Sequence, residues 1–148
     1  MLLGGEHRWS AAAEAHLHFA ARAEHLTRTI LPALEAGLTV VCDRFADSTL
    51  AYQGYGQGAD RSLILGLTRL LPRQPDVTLM LRVSPGVAAA RMMVRQQALD
   101  RYEAMDVGFH ARVARGFAEI AAADPGRCRV IDADGGLDDV RSAILAAL

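Results

Sequence analysis

Leu38-Thr39-Val40-Val41-Cys42-Asp43-Arg44 joins a short apolar run to an acid and an arginine. A run this short and without alternation predicts a strand buried on both faces. In open parallel sheets, ligands bind beyond the carboxyl ends of the strands. Asp43 and Arg44 therefore stand where an acid can face a metal and an arginine a phosphate. Taken alone, the pair is also compatible with a salt-bridged loop.

Upstream, Ser10 reads as a helix N-cap, and Ala11 to Glu35 carries apolar residues near helical spacing. Pro32 is expected to kink this helix, and Gly37 to end it. Downstream, Asp47 to Tyr52 opens a second helix, and Gly54, Gly56 and Gly58 predict a flexible loop. Arg61 to Leu71 reads as a helix closed by Pro72. Asp76 to Val83 predicts a second buried strand, and Ser84-Pro85 starts a helix running to about Gln97. Asp100 to Asp106 is a charged stretch. Phe109 to Ala123 predicts a helix, Pro125-Gly126 a turn, Arg129 to Asp132 a third strand and Leu137 to Leu148 a last helix. Strands alternate with helices, so the expected class is α/β with a mainly parallel sheet, in one domain over residues 1–148.

Composition narrows the function. Hydrophobic residues make up 51% of the 148 and charged residues 22%, a globular balance. The net charge of −1 gives no bulk attraction for nucleic acid. The basic residues are all arginine, so no lysine can hold a phosphate. Cys42 and Cys128 are too isolated for a disulfide framework or a metal site and read as buried small hydrophobes in a reducing cytosol. No apolar run is long enough to span a membrane, and the N-terminus does not read as a signal peptide.

The longer string Asp43-Arg44-Phe45-x-x-Ser48-x-x-Ala51-Tyr52-Gln53-Gly54 is far more specific than Asp-Arg alone. It resembles the signature of the thymidylate kinase family. Glu14 to His25 is similar to the helix that lines that family's thymine pocket. Leu99 to Glu103, with Phe109 and Arg112-Val113, is similar to its lid segment, placed here at about 91–106. The resemblance implies a three-layer P-loop-kinase-like sheet and a cytoplasmic enzyme. That enzyme moves the γ-phosphoryl group of ATP to dTMP with Mg²⁺ and works as a homodimer, without nucleic acid or membrane.

The resemblance also implies roles. Arg44 would grip the dTMP phosphate, while Asp43 would face the phosphates and, indirectly, Mg²⁺. Arg22 would hydrogen-bond the thymine ring, with Thr49 beside it. Tyr52 would pack on the deoxyribose where a 2′-hydroxyl would clash, and Gln53 would support the pocket. Arg95 and Arg101 on the lid would supply charge to the migrating phosphoryl group. Arg91 and Arg95 would also meet ATP.

This chain departs from the family at three places. His18 stands where the family usually stacks a Phe on thymine; Phe19 is adjacent, and either ring could serve, with spacing favouring His18. Arg82 stands where the family often has an acid. Most importantly, the 148 residues contain no Gly-x-x-x-x-Gly-Lys-(Ser/Thr) loop and no Arg-Glu-Pro-Gly-Gly segment. Met1-Leu2-Leu3 matches a point well inside the family pattern, so an N-terminally truncated chain is expected. The family's first two strands would then be missing, leaving a trough in the core, two unpaired strand edges and an inactive chain. A non-catalytic nucleotide-binding pseudo-enzyme or interaction module is the rival reading.

Overall fold

The computed structural model describes residues 9–95 and 101–148. The chain forms two compact units, one built from residues up to Gln74 with Met105–Phe117, the other from Pro75–Ala104 with Ala118–Leu148.

In the first unit, α1 (Ala11–His25) starts at Ser10, whose hydroxyl accepts from the Ala13 N–H at 3.2 Å. The helix does not stop at His25. It passes through a π-helical turn, π1 (Leu26–Ile30), into α2 (Leu31–Glu35). Pro32 lacks an N–H, and its ring crowds the carbonyl of the preceding turn. The wider π turn just before it accommodates both effects, with the Leu31 N–H reaching Leu26 O. Gly37 ends the run at φ +76°, and the Leu38 N–H closes back on Ala33 O at 3.0 Å.

Leu38–Cys42 is not the buried strand that its sequence predicts. The segment belongs to no sheet among the described residues, and Leu38 and Val41 are 61% and 94% exposed. Two-sided burial needs strand neighbours at the edges and helices over both faces, and the described residues do not provide that setting here. Cys42 is accordingly half-buried, whereas Cys128 is buried as expected.

The glycine-rich stretch also differs from expectation. After α3 (Ala46–Thr49), residues Leu50–Gly56 continue as a second π-helical segment, π2, in which Gly54 and Gly56 are buried. A Cβ on Gly56 would lie 2.5 Å from the Phe109 ring, and one on Gly116 would lie 2.8 Å from the Tyr55 ring. These glycines are notches for close packing. Gly58 alone behaves as a turn residue, at φ +80°. Asp60 then caps α4 (Arg61–Arg69). Ala15, Phe19, Ala46 and Ile64 form the core that joins α1, α3 and α4.

In the second unit, β1 (Thr78–Arg82) pairs in parallel with β2 (Cys128–Asp132). This two-stranded sheet is only partly covered: Leu81 and Val130 are 54% and 52% exposed, so the expected full burial does not hold. Arg82 pairs with Asp132 directly across the ladder at 3.0 Å, which gives this residue a structural role as a cross-strand ion pair. The helix α5 (Pro85–Arg95) begins with Pro at its first position, as the sequence predicts. The helix α6 (Val107–Ala123) starts in the first unit and ends in the second. The last helix, α7 (Leu137–Ala147), begins where the Gly136 N–H donates to Asp139 Oδ2 at 3.1 Å. The expected residues Gln97, Leu99 and Asp100 lie outside the described residues.

Candidate functional site

His18, Phe19 and Arg22 occupy neighbouring positions on α1. Arg22 reaches across to the second element: its Nη2 donates to Phe45 O at 3.0 Å and to Thr49 Oγ1 at 3.2 Å. Its guanidinium also lies over the rings of Phe19, at 4.9 Å, and Phe45, at 5.2 Å. Nη1 is buried and has no protein acceptor. Burial lowers the Arg22 pKa, opposed by Cys42 and Asp47. An arginine nonetheless stays charged. The result is a half-buried cation with a donor left over.

Phe19 and His18 have separated roles. Phe19 is 5% exposed and belongs to the core beneath Arg22, whereas His18 is half-buried at the surface of the same helix. Burial pushes the His18 pKa below the ordinary histidine value, and Arg22 and Arg44 push it the same way, while Glu14 opposes them. The imidazole is therefore neutral at pH 7. The unfolded chain takes up this proton first as pH falls below about 6.5, so acidification removes stability in that window. Thermal melts of the parent and of His18→Phe should diverge below pH 6.5, with the parent falling more steeply. Parallel curves would contradict the neutral, half-buried histidine.

Arg44 sits at φ 64°, the only non-glycine residue with positive φ among those described. Its guanidinium lies 5.2 Å from the centre of the Tyr52 ring. Edge contacts with Phe109 at 6.1 Å and Phe117 at 6.2 Å hold that ring from other sides. Thr49 and Gln53 are both buried, at 2% and 1% exposure. Gln53 Nε2 donates to Glu14 Oε2 at 3.3 Å, and Glu14 is itself fully buried. Asp43 is exposed at the bend before α3.

The first unit thus brings together His18, Phe19, Arg22, Arg44, Thr49, Tyr52 and Gln53. The sequence reading gave no role to Phe45 or Glu14. Phe45 lay inside the quoted motif as an unassigned aromatic. Glu14 carries no local signal of burial: its same-face neighbours on α1, Leu17 and His18, are only half-buried.

Arg91 and Arg101 lie in the second unit. Arg91 Nη2 donates to Gly135 O at 2.9 Å and to Asp134 O at 3.3 Å, beside an open groove of about 460 Å³. Leu81, Val83, Ala133 and Leu137 also line that groove. The Arg101 guanidinium is 5.9 Å from the Tyr102 ring. Arg95 ends α5, and its side chain lies outside the described residues.

No group of three or more His, Cys, Asp or Glu side chains suited to a metal occurs among the described residues. Mg²⁺ of the kind that keeps its waters needs as little as one carboxylate together with substrate phosphates, and Asp43 is a single exposed carboxylate of that type. No helix among them is long and apolar enough to cross a membrane.

The model of the family "Thymidylate kinase" matches residues 1–144. The thymidylate kinase of Gluconobacter oxydans is 49% identical over 152 aligned residues, covering 100% of this chain and 71% of that protein. That of Caulobacter vibrioides is 46% identical, covering 95% of this chain and 68% of that protein. The crystal structure of thymidylate kinase from Ehrlichia chaffeensis superposes with a TM-score of 0.76 at 34% identity, over 96% of this chain and 66% of that one. These matches cover nearly the whole chain, and the parallel pairing of β1 and β2 with flanking helices fits the same α/β fold. The chain belongs to the thymidylate kinase family.

Proposed function

We propose that this chain carries the nucleoside-monophosphate side of a kinase that transfers the γ-phosphoryl group of ATP to dTMP, giving dTDP. The observation that carries the reading is the clasp of Arg22 on Phe45 and Thr49, which leaves Nη1 buried and without a protein acceptor. A buried, unsatisfied donor costs roughly 1–3 kcal/mol, and a carbonyl oxygen of a thymine ring would satisfy it. His18, neutral and half-buried, stacks on the base in this reading, because Phe19 is committed to the core.

Arg44 holds the acceptor phosphate, with Asp43 facing the phosphates and Mg²⁺. Mg²⁺ supplies charge neutralisation between phosphate oxygens when bound. Tyr52, boxed by Phe109 and Phe117, presents its ring to the deoxyribose. Arg91, Arg95 and Arg101 lie on or near the lid segment, and their part is to meet ATP and the migrating group. One kinase-like domain, a cytoplasmic setting and a homodimer complete the reading.

The 148 residues do not fit the ATP phosphates: they hold neither a lysine nor a Gly-x-x-x-x-Gly-Lys-(Ser/Thr) loop. The chain alone is therefore a dTMP binder without kinase turnover. Titration calorimetry with dTMP should detect binding, while an ATP-coupled dTDP assay on the same sample should show none. Turnover by these residues alone would mean that other groups cradle the ATP phosphates. Absence of dTMP binding would remove the proposed site.

A further inference from the structure

Hydrogen-bonded clasps between α1 and the segment that begins at Phe45 include two that lie well apart. The first is Arg22 on Phe45 and Thr49. The second is Glu14, eight residues earlier on the same helix, which accepts from Gln53. On an α-helix that separation is about 12 Å. The core contacts of Ala15, Phe19 and Ala46 already join these walls, and two clasps at separate heights add polar ties that hold their angle. The Glu14 clasp is the buried one: Glu14 is 0% and Gln53 1% exposed. Water cannot replace the bond at this depth, so breaking it costs more than breaking a surface contact.

The clasp sits between residues that face the site. Gln53 adjoins Tyr52 within π2, and Glu14 lies one helical turn before His18. Glu14 also acts electrostatically on His18. A single buried carboxylate therefore connects the wall that bears His18 to the wall that bears Tyr52.

We infer that Glu14 is a positioning residue for the dTMP site, fixing through Gln53 the spacing between the α1 wall and the Tyr52 wall. It touches neither substrate nor reacting atoms. The inference rests on the proposed function, because it takes the Tyr52 wall as the one that meets the sugar. The role differs from plain structural support in one measurable way. A support residue, once removed, weakens all ligands alike. Loss of a spacing residue changes how well Tyr52 rejects a 2′-hydroxyl.

The test compares the affinities of dTMP and its ribose counterpart, 5-methyluridine monophosphate, on the full 148-residue chain by calorimetry. Glu14→Ala should weaken dTMP about tenfold and reduce the deoxyribose-over-ribose ratio by about threefold, in line with loss of one buried hydrogen bond. Glu14→Gln keeps an acceptor for Gln53 and should restore the ratio. Gln53→Met removes the donor from the other side at similar volume and should reproduce the loss, so the ratio is still read if Glu14→Ala does not fold. An unchanged ratio in both Glu14→Ala and Gln53→Met overturns the inference and leaves the proposed function standing. The same holds if Glu14→Gln behaves as Glu14→Ala does. Failure of the parent chain to bind dTMP overturns both together.

Discussion

Gly56→Ala is expected to destabilise the protein by about 3 kcal/mol, the upper end for overpacking a close-packed interior. The added Cβ would sit 2.5 Å from the Phe109 ring and 2.8 Å from Val113 Cγ2. Carbon atoms are content at about 3.5–4.0 Å, so one or both neighbours must move by around an ångström. Neither has room: Phe109 is fully buried and Val113 is 6% exposed. Backbone movement is resisted too, because Arg112 Nε donates to Gly56 O at 3.0 Å. In urea, the midpoint should fall with little change in slope. Combining Gly56→Ala with Phe109→Leu should recover part of the loss, giving a coupling of about 1 kcal/mol in a double-mutant cycle. An alanine variant that unfolds at the parent's midpoint would show that this helix contact is looser than described.

Arg44→Gly should move stability and binding in opposite directions. Arg44 holds φ 64°, where a side chain costs roughly 1–2 kcal/mol and glycine does not. Glycine also adds freedom to the unfolded chain, which returns some of that gain, so a net increase of about 0.5–1 kcal/mol is expected. Loss of the Tyr52 contact offsets part of it, since an exposed cation–π pair is worth about 0.5–1 kcal/mol. Removal of a charge-assisted bond to phosphate should weaken dTMP by about 1.5–3 kcal/mol, or roughly 10- to 100-fold. Arg44→Ala should lose the same affinity without the relief at the backbone, and should melt below the glycine variant. Calorimetry and melting of the three proteins separate the two effects. If affinity for dTMP survives in both variants, another group holds the phosphate.

Much of the fold could be read from local signals. Ser10, Gly37 and Pro85 mark helix ends through chemistry that acts within one turn, and each does so in the structure. Alternation of strands and helices predicts a parallel sheet, and Thr78–Arg82 does pair in parallel with Cys128–Asp132. Leu38–Cys42 failed as a strand because hydrophobicity predicts that a segment can be buried, whereas burial depends on neighbours elsewhere in the chain. Gly54 and Gly56 misled for a related reason. Glycine marks a turn when its backbone needs freedom, and a notch when a ring needs room. For Gly56 the position of Phe109, far along the chain, distinguishes these cases; for Gly54 it is the packing of Leu50, Arg61 and Ile64.

The site was partly legible in the same sense. The Asp43–Gly54 string contains Arg44, Thr49, Tyr52 and Gln53, which the structure brings near Arg22, His18 and Glu14 on α1. The choice between His18 and Phe19 turned on which helix face meets the core, and packing against Ala46 and Ile64 settles that Phe19 is the core residue. Glu14 escaped because a glutamate on a helix is ordinarily solvated. Its pairing with Gln53, a long-range contact, has no local sequence signature.

The π-helical course of Leu50–Gly56 bears on how this segment can change in length. Its bonds close over five residues, as between the Gln57 N–H and Tyr52 O at 2.9 Å. Removing one residue there would let the segment relax to ordinary α spacing, in which each residue turns the helix by about 100°. Every side chain beyond the deletion would then swing to a different face, carrying Gly56 off its notch and Gln53 away from Glu14. Point substitutions in this stretch alter one contact each, whereas a one-residue deletion re-indexes all of them. The segment should therefore tolerate changes of residue type at Leu50 far better than any change in the number of residues between Thr49 and Gln57.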